Sequence, residues 1–390
     1  MSRIVVLGGA GIIGRAIAQD LADDVAEVVV ADLDFDGAAK VAGELGKGCV
    51  PQQVDVTNPE DLDDLLNGAG ACVNSVQYYF NLDVMAGCLR QKVPYIDLGG
   101  LFYTTRKQLK LASDFEAEGV TAVLGLGSCP GVANVQAGHL GKMLDTVDSV
   151  KIYNGATIDE GESLSWAYSI ETILDEICMD SMVFRNGQFQ AKEPLSEEEF
   201  FMFPDPIGYA KTHLSLHSEV ATIPLSLADK GIQECFFKIT FFGYSEAALR
   251  KMQFLVQLGL AGTDPIDVKG VKVKPRDVLT TLLNMAPAAK EPPKSKGYKD
   301  IATVVTGTQD GKEVVLRMDT WAWPHERWGI SGGKMMVSAP PAIVARWLAG
   351  GRLNMPGVWA PEQVIDGDSF FAEMAGRGMG TTLEKQEKIH

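Results

Sequence analysis

The chain has 390 residues, of which 46% are apolar and 22% are charged. At roughly 100–200 residues per domain, this length predicts two or three domains with cores that need no disulfide or metal support. The composition is that of a globular protein and excludes a disordered or fibrous chain. No run approaches the roughly 18–20 uncharged apolar residues that span a bilayer, so the sequence predicts no membrane span.

The charge balance argues against two classes of partner. There are 35 basic and 51 acidic residues, which gives a net charge of −16. Such a surface repels phosphate groups, so we expect neither nucleic acid nor an anionic membrane as a partner. An acidic surface keeps a protein soluble, and it leaves the substrate open.

The six cysteines show no metal or disulfide framework. None forms a Cys-x-x-Cys pair and no His follows at zinc spacing, so we predict no metal site. Reduced thiols are typical of a cytosolic protein. The apolar run at the N-terminus breaks at Gly8, which is too short for a signal peptide. These observations predict a cytoplasmic location.

Short apolar, β-branched runs alternate with helical patterns in the first third of the chain. The predicted strands are 3–8, 27–32, a third that ends near 54–56, 71–75, 94–97 and 121–124. Alternation on this spacing predicts an α/β fold with a doubly wound parallel sheet, which is a Rossmann domain. We assign residues 1–130 to this dinucleotide-binding domain.

The pattern changes after residue 130. Strands are expected at 151–156, 234–243, 266–273, 301–308 and 313–321, and helices at 163–177, 245–260, 275–285, 339–350 and 368–378. Asp310-Gly311 is a hairpin turn, and the Pro- and Lys-rich stretch 286–299 is expected to be a surface loop. This pattern predicts an α+β second domain with a mainly antiparallel sheet over 131–335, followed by a C-terminal segment over 336–390.

A glycine-rich motif joins the first predicted strand to the first helix. Gly9 is expected to allow the tight turn, Gly11 to let the backbone approach a pyrophosphate, and Gly14 to let the helix pack on the strand. The backbone N–H groups around Ile12 and Ile13 would then hold the phosphates with the helix dipole. The alternative is a helix-opening glycine turn that binds no ligand.

Polar side chains at the carboxyl ends of the next strands complete a nucleotide site. Asp32 ends the second strand, and a carboxylate there favours NAD over NADP because it repels a 2′-phosphate. Asp55 and Val56 are expected beside the adenine, and Ser75 and Val76 beside the nicotinamide ribose. For Asp55 the alternative is a helix N-cap.

Several motifs together resemble one family. They are the opening glycine turn, Tyr-Ile-Asp-Leu-Gly-Gly at 95–100, Gly-Leu-Gly-Ser-Cys-Pro-Gly at 125–131, Arg-Asn-Gly at 185–187, Lys-Val-Lys-Pro-Arg-Asp-Val-Leu at 272–279 and Gly-Val-Trp-Ala-Pro-Glu at 357–362. The chain resembles the saccharopine dehydrogenase (saccharopine reductase) family over nearly its whole length. The closest likeness is to lysine 6-dehydrogenase-like members.

The resemblance implies a Rossmann domain, an inserted substrate and dimerisation domain, and a C-terminal segment that returns to the first domain. It also implies an NAD(P)-dependent dehydrogenase that acts on CH–NH or CH–NH₂ donors, with a small amine or amino-acid substrate, in a homodimer. The stretch His217-Ser218-Glu219 departs from the lysine dehydrogenase pattern. It looks more like carboxynorspermidine dehydrogenases, so a reductase of that kind is an alternative.

Amine oxidation by hydride transfer needs a neutral amine, and therefore a base. His217 is a candidate base that Glu219 could orient, or else it anchors a loop. Asp97 ends the fifth strand and could hold the substrate amine or the base, or else it caps the turn at 99–100. We name Asp97, His217 and Glu219 as catalytic candidates.

Other side chains leave more than one interpretation open. Tyr78 and Tyr79 could line the nicotinamide pocket or pack in the core. The acidic face that includes Glu171 and Asp175 could bind a cationic amine or be solvated. Arg276 is one of three cationic residues that could bind a substrate carboxylate. A protein that binds NAD without turnover also fits the glycine motif and the acid that follows it.

Overall fold

The computed structural model describes residues 3–46, 48–157, 169–241, 246–285 and 297–388, without the side chains of 246–248. The strands, in chain order, are β1 Arg3–Leu7, β2 Glu27–Asp32, β3 Cys49–Gln53, β4 Ala71–Asn74, β5 Tyr95–Asp97, β6 Thr121–Val123, β7 Thr146–Ala156, β8 Ser181–Arg185, β9 Gln188–Lys192, β10 Glu199–Met202, β11 Tyr209–Leu214, β12 Glu234–Ile239, β13 Ile266–Val268, β14 Val271–Val273, β15 Lys299–Gln309, β16 Lys312–Ala322, β17 Gly357–Trp359 and β18 Gly380–Glu387. The helices are α1 Ile12–Leu21, α2 Phe35–Leu45, α3 Pro59–Leu66, α4 Asn81–Gln91, α5 Leu101–Gln108, α6 Ala112–Ala117, α7 Val132–Lys142, α8 Ile170–Cys178, α9 Glu219–Ser226, α10 Glu246–Gln257, α11 Pro275–Met285, α12 Gly332–Ala349, α13 Pro361–Val364 and α14 Gly367–Gly376.

A parallel sheet of seven strands occupies the N-terminal part, in the order β17-β6-β5-β4-β1-β2-β3. The predicted doubly wound sheet is confirmed. Strand β3 ends at Gln53, slightly earlier than expected, and β17 was not predicted. The chain passes from β3 to β4 on the other side of β1, so the direction of winding reverses there. Ligands bind at such a switch point, outside the carboxyl ends of the strands.

Local sequence explains where the first helices begin. The Asp34 side chain accepts a hydrogen bond from the Gly37 amide at the start of α2, and Asn58 caps α3 with Pro59 in its first turn. Both are favourable N-terminal arrangements, because a side-chain oxygen satisfies an amide that has no partner in the helix.

A second sheet of nine strands is mixed but mainly antiparallel, as predicted. Its main path runs β10-β11-β12-β7-β15-β16-β18, with β8 beside β12 and β9 beside β8. Among the described strands of this sheet, only β7 and β12 pair in parallel. The stretch predicted as a strand at 266–273 forms a separate hairpin of β13 and β14 instead, because Lys269 and Gly270 turn with positive φ. Part of the predicted helix at 163–177 and most of the predicted loop at 286–299 lie outside the described residues.

The C-terminal segment contributes to both sheets. Strand β17 pairs with β6 of the parallel sheet, and β18 pairs with β16 of the other. One continuous core of buried apolar residues joins the inner sides of both sheets. Within it, Gln136 of α7 is hydrogen-bonded to the backbone of Ile301 and to Thr303 and Thr320. The predicted boundaries at 130 and 335 stay a prediction. None of the helices in the described residues is long and apolar enough to cross a membrane.

Candidate active site

The glycine-rich turn brings α1 very close to the end of β1. Gly8 adopts φ of +72°, and its carbonyl accepts a hydrogen bond from the Gly11 amide at 3.0 Å. A Cβ atom on Gly14 would lie 2.1 Å from the Gly8 oxygen, so only glycine fits at that position. The left-handed residue is therefore Gly8 and not Gly9, where a Cβ would lie 2.7 Å from a methyl group of Val30.

The start of α1 fits a phosphate group. Gly11 is the N-cap, and no described side chain accepts a hydrogen bond from the first turn of α1. The amides that follow it, which include those of Ile12 and Ile13, are therefore available to an anion. The close packing at Gly14 holds this helix end against Ser75, at the end of β4.

A cleft of about 140 Å³ lies beside the glycine turn. Among the residues that line it are four of the predicted cofactor residues, which are Asp32, Asp55, Val56 and Val76. Asp32 accepts hydrogen bonds from the amides of Ala10 and Asp34, which hold its carboxylate at the end of β2. Because Asn58 caps α3, Asp55 is not an N-cap; it accepts hydrogen bonds from Thr57. The residues present thus fit a dinucleotide.

Asp97 is wholly buried at the end of β5. Its carboxylate accepts five hydrogen bonds, from the amides of Gly99 and Gly125 and the side chains of Tyr95, Gln108 and Asn81. Burial raises its pKa, and these hydrogen bonds partly offset that effect. The structure thus gives Asp97 the contacts of a residue that ties the turn after β5 to the segment after β6.

His217 lies between two buried carboxylates. Its Nδ1 is 3.1 Å from Glu219 Oε2, and its Nε2 is 3.6 Å from Glu176 Oε1. The imidazole stacks on Phe237 with the ring centres 3.8 Å apart. Burial alone would lower the pKa of His217, but Glu219 and Glu176 outweigh it and raise that pKa to about 9. The ring is therefore an imidazolium at neutral pH.

This acidic cluster, defined as Glu176, His217 and Glu219, lies at the carboxyl edge of the parallel sheet. The Gly100 amide donates a hydrogen bond to the Ser218 hydroxyl at 3.3 Å. A Cβ on Gly99 would lie 2.7 Å from Pro130 and 3.2 Å from that hydroxyl. The segment that carries His217 and Glu219 thus packs on the turns that follow β5 and β6. Glu219 Oε1 is buried without a hydrogen-bond partner among the described residues.

Sequence reasoning missed two members of this neighbourhood. Glu176 is on α8, in a stretch that was considered only as an acidic helix face. Lys299 begins β15, and its Nζ donates a hydrogen bond to the Ser128 hydroxyl at 3.0 Å inside the protein. Its place at the end of a Lys-rich stretch concealed it, since neighbouring lysines there were expected on the surface.

A second polar pocket adjoins the other side of α8. It has a volume of about 370 Å³, and its lining includes Tyr78, Tyr79, Glu171, Asp175 and Arg276. Asp175 accepts a hydrogen bond from the Tyr78 hydroxyl at 2.9 Å and further ones from Tyr79 and Arg276. The two tyrosines, the helix face and the arginine that the sequence left ambiguous therefore meet in one place.

Comparisons with known proteins agree with this architecture. Carboxynorspermidine synthase of Vibrio alginolyticus is 26% identical over 412 aligned residues, which cover 97% of this chain and 96% of the relative. Carboxyaminopropylagmatine dehydrogenase of Synechocystis sp. is 22% identical over 394 aligned residues, with the same coverage of both. The apo structure of saccharopine dehydrogenase (L-Glu forming) from Saccharomyces cerevisiae matches with a TM-score of 0.72 at 15% identity, over 99% of this chain and 100% of that one.

Two family models cover most of the sequence. The saccharopine dehydrogenase NADP-binding domain matches residues 4–123, and the saccharopine dehydrogenase C-terminal domain matches residues 127–379. The resemblance drawn from the motifs is confirmed. The chain therefore belongs to the saccharopine dehydrogenase family and is an NAD(P)-dependent oxidoreductase.

Proposed function

We propose that this enzyme transfers a hydride between a nicotinamide nucleotide and the carbon of a C–N bond in an amino acid or an amino-acid-derived amine. The observation that carries the proposal is the buried acidic cluster of Glu176, His217 and Glu219 at the carboxyl edge of the parallel sheet. Buried carboxylates need cations to balance them, and a substrate amine is such a cation. The oxygen of Glu219 that has no partner would accept a hydrogen bond from the substrate N–H group.

The roles of the candidate residues follow from their contacts. His217 carries its proton at neutral pH, so it would screen the two carboxylates and hold Glu219 in place. Asp97 is a positioning residue in this proposal, because its hydrogen bonds from the amides of Gly99 and Gly125 fix the turns beneath the substrate. The dry surroundings would keep bulk water away from the reacting nitrogen.

NAD is the preferred cofactor in our proposal. The amides at the start of α1 would hold the pyrophosphate, and Asp32 would accept hydrogen bonds from the adenosine ribose and repel a 2′-phosphate. Asp55 and Val56 would contact the adenine, and Ser75 and Val76 the nicotinamide ribose. When bound, the nicotinamide supplies the hydride acceptor or donor.

The relatives narrow the substrate class that we propose. Their names refer to carboxylated polyamines, in which a secondary amine joins a polyamine to a chain that bears a carboxylate. The pocket with Asp175 and Arg276 offers groups of both charges on another face of α8, the helix that also carries Glu176 of the acidic cluster. A substrate with an ammonium and a carboxylate would match them.

Nicotinamide absorbance in a substrate panel tests this function. The panel contains L-lysine, saccharopine, diamines, carboxynorspermidine and carboxyaminopropylagmatine with NAD or NADP, and aldehyde–amine pairs with the reduced cofactors. We expect turnover with one carboxylated amine, and faster with NAD than with NADP. NAD binding without turnover on any member would favour a nucleotide-binding protein and contradict the proposal.

The acidic cluster itself is tested by Glu219→Gln. We expect kcat to fall by about 10- to 100-fold, the range for a lost hydrogen bond to a charged group, with NAD affinity unchanged. Glu362→Gln is the matched control, because Glu362 is also a buried acid but is hydrogen-bonded by Asn134 and Ser226. If Glu219→Gln and Glu362→Gln are equally active, Glu219 is not part of the active site.

A homodimer in the cytoplasm completes the proposal. Apolar side chains that are half or more exposed cluster on 254–285, and they include Phe254, Leu258, Val271, Leu282 and Met285. Exposed apolar patches of this kind mark protein interfaces. The six cysteines are all free, as in a reducing compartment. Light scattering that gives the mass of one chain would contradict the dimer.

A further inference from the structure

Lys299 is an amine buried at the carboxyl edge of the parallel sheet. It is the first residue of β15, only 6% of its surface is exposed, and its Nζ donates a hydrogen bond to Ser128. Ser128 follows β6 and precedes α7, in the segment whose Pro130 packs against Gly99. Lys299 therefore reaches from the second sheet to the turns that lie beneath the proposed substrate.

The charged and titratable groups around Lys299 come from three separate elements. The Cys129 thiol follows Ser128, and the carboxylates of Glu176 on α8 and of Glu219 at the start of α9 act on the pKa of Lys299. His217 stands between the same two carboxylates. The thiol of Cys129 stays protonated, because burial and then Glu219 raise its pKa well above the ordinary value. The charges to balance are thus two carboxylates, one imidazole and one lysine amine.

The balance of charge in the cluster gives His217 and Lys299 different roles. Two carboxylates balance two cations, and the imidazolium of His217 is one of them. The second cation is either protonated Lys299 or the charged amine of a substrate. Both together would leave an unbalanced positive charge in a dry site, which is costly. When a substrate ammonium enters the cluster, either it or Lys299 must therefore be neutral. Lys299 can be the group that accepts the proton of the substrate.

We propose that Lys299 is the catalytic residue that takes the proton from the substrate amine in the oxidative direction and returns it in the reductive direction. The N–H bond of the substrate ammonium breaks, the proton forms a bond with the lone pair of Lys299 Nζ, and the freed electron pair stays on the substrate nitrogen. Ser128 keeps Nζ oriented during this transfer. This inference rests on the proposed function, since it requires an amine substrate in the cluster.

The protonation of Lys299 agrees with this role. Burial lowers its pKa, and the nearby carboxylates of Glu176 and Glu219 offset only part of that effect. His217, by contrast, is held as a cation up to about pH 9. At neutral pH the lysine is thus closer to its neutral form than an exposed lysine is, whereas the histidine has no free lone pair to accept a proton.

The first test does not depend on turnover. In protein labelled with ¹³C at lysine Cε, the signal that disappears in Lys299→Arg is assigned to Lys299 and is followed against pH. We expect it to titrate below the exposed lysines, because burial lowers the pKa of Lys299. A titration of Lys299 in the ordinary lysine range overturns the proposal, whatever the activity of the enzyme.

The second test follows kcat against pH in the oxidative direction for Lys299→Met. We expect a loss of at least about 100-fold, disappearance of the low-pH limb of the profile, and partial rescue by added methylamine. Lys238→Met is the matched control, because Lys238 is as buried but pairs with Glu199. An unchanged pH profile in Lys299→Met overturns the role of Lys299 and leaves the proposed function intact. Absence of wild-type turnover on the whole panel overturns the proposed function, and the role of Lys299 with it.

Discussion

Asp300 is a carboxylic acid in surroundings that favour its neutral form. It is wholly buried on β15, and neither carboxyl oxygen has a hydrogen-bond partner among the described residues. Burial, and then the nearby charge of Asp319, raise its pKa from 3.8 to about 8. Because side chains alternate along a strand, Asp300 points to the face of the sheet opposite Lys299. Its proton therefore affects stability and not the proposed chemistry.

This proton makes the stability of the protein depend on pH. Between about pH 4 and pH 8 the folded state holds the proton of Asp300 and the unfolded state does not, so stability falls as the pH rises through this window. Asp300→Asn removes the effect. We expect its free energy of unfolding relative to wild type to rise by about 3 kcal/mol between pH 5 and pH 8. Urea unfolding at the two pH values measures it.

The control for Asp300→Asn is Asp310→Asn, in the exposed turn between β15 and β16. This control is expected to follow the pH dependence of wild type. If Asp300→Asn also keeps the wild-type slope between pH 5 and pH 8, Asp300 is ionised in the folded protein and the interpretation is wrong.

Some single-residue roles could be predicted from sequence and others could not. Gly14 and Asp32 have fixed spacings after the first strand, and the structure gives both the expected positions. The tight turn was expected at Gly9, but the residue with positive φ is Gly8, because the strand ends at Leu7. The five hydrogen bonds to Asp97 come from residues spread between 81 and 125, and a linear pattern does not show them.

The position of the start of helix α1 depends on Gly14, which has no Cβ atom. Gly14→Ala would place a methyl group 2.1 Å from the Gly8 oxygen, which is backbone and cannot turn aside. We expect NAD affinity to fall at least tenfold, because the amides at the start of α1 move, and stability to fall by about 1–3 kcal/mol. Calorimetric titration with NAD and thermal unfolding measure the two effects.

Gly43→Ala is the control for Gly14→Ala. Gly43 is also inside a helix, α2, and a Cβ there would meet no atom within 4 Å. Since Ala is the better helix former, this variant should be as stable as wild type or slightly more so. Unchanged NAD binding in Gly14→Ala would show that α1 can move away from Gly8 without loss of the nucleotide site.

The prediction of strands was most accurate in the parallel sheet, where short apolar runs are buried. Strands β1, β2, β4, β5 and β6 are short buried runs, and the turn at 310–311 does join β15 to β16. Strands β9 and β10 were missed, because their residues are only partly buried and mix aromatic with charged side chains. Strand β18 was missed for the same reason, since most of its residues are exposed.

At the scale of the whole molecule, one buried acid ties the C-terminal segment to the first helix. Asp20 on α1 is 2% exposed and forms ion pairs with Arg346 of α12 and Arg377 after α14. Arg377 donates to both carboxylate oxygens at 2.7 and 3.0 Å, and Arg346 donates to Oδ1 at 2.8 Å. These contacts span more than 320 residues of sequence. The acid therefore holds the fold together across its most distant parts.

Asp20→Ala should lower the free energy of unfolding much more than an ordinary surface substitution does. Two partly buried arginines would lose their shared partner, and breaking a buried ion pair costs about 3–5 kcal/mol. We expect a lower midpoint of thermal unfolding and faster proteolysis of the segment after residue 332. Asp23→Ala is the control, because the ion pair of Asp23 with Arg327 is exposed and contributes little. A midpoint equal to that of wild type would show that the network is dispensable.

The candidate site could be predicted from sequence only in part. His217 and Glu219 could be recognised because they are two residues apart, in a stretch that resembles carboxynorspermidine dehydrogenases. Glu176 and Lys299 come from elements far apart in the chain, and only the packing of α8 and β15 on the parallel sheet brings them to the same place. Their charges matter because they are buried together, which is a property of the folded molecule.

The shared C-terminal segment has a consequence for synthesis in the cell. Strand β17 is an edge strand of the first sheet and β18 is an edge strand of the second, and each follows all other strands of its sheet in the chain. A growing chain can collapse around its N-terminal strands as they emerge, but neither sheet is complete until residues 357–387 have left the ribosome. Until then β6 and β16 are the edges of their sheets, and their unpaired backbone groups can pair with another nascent chain. Premature termination shortly before residue 357 would therefore leave two unfinished edges at once, and such a product would be a target for chaperones or degradation.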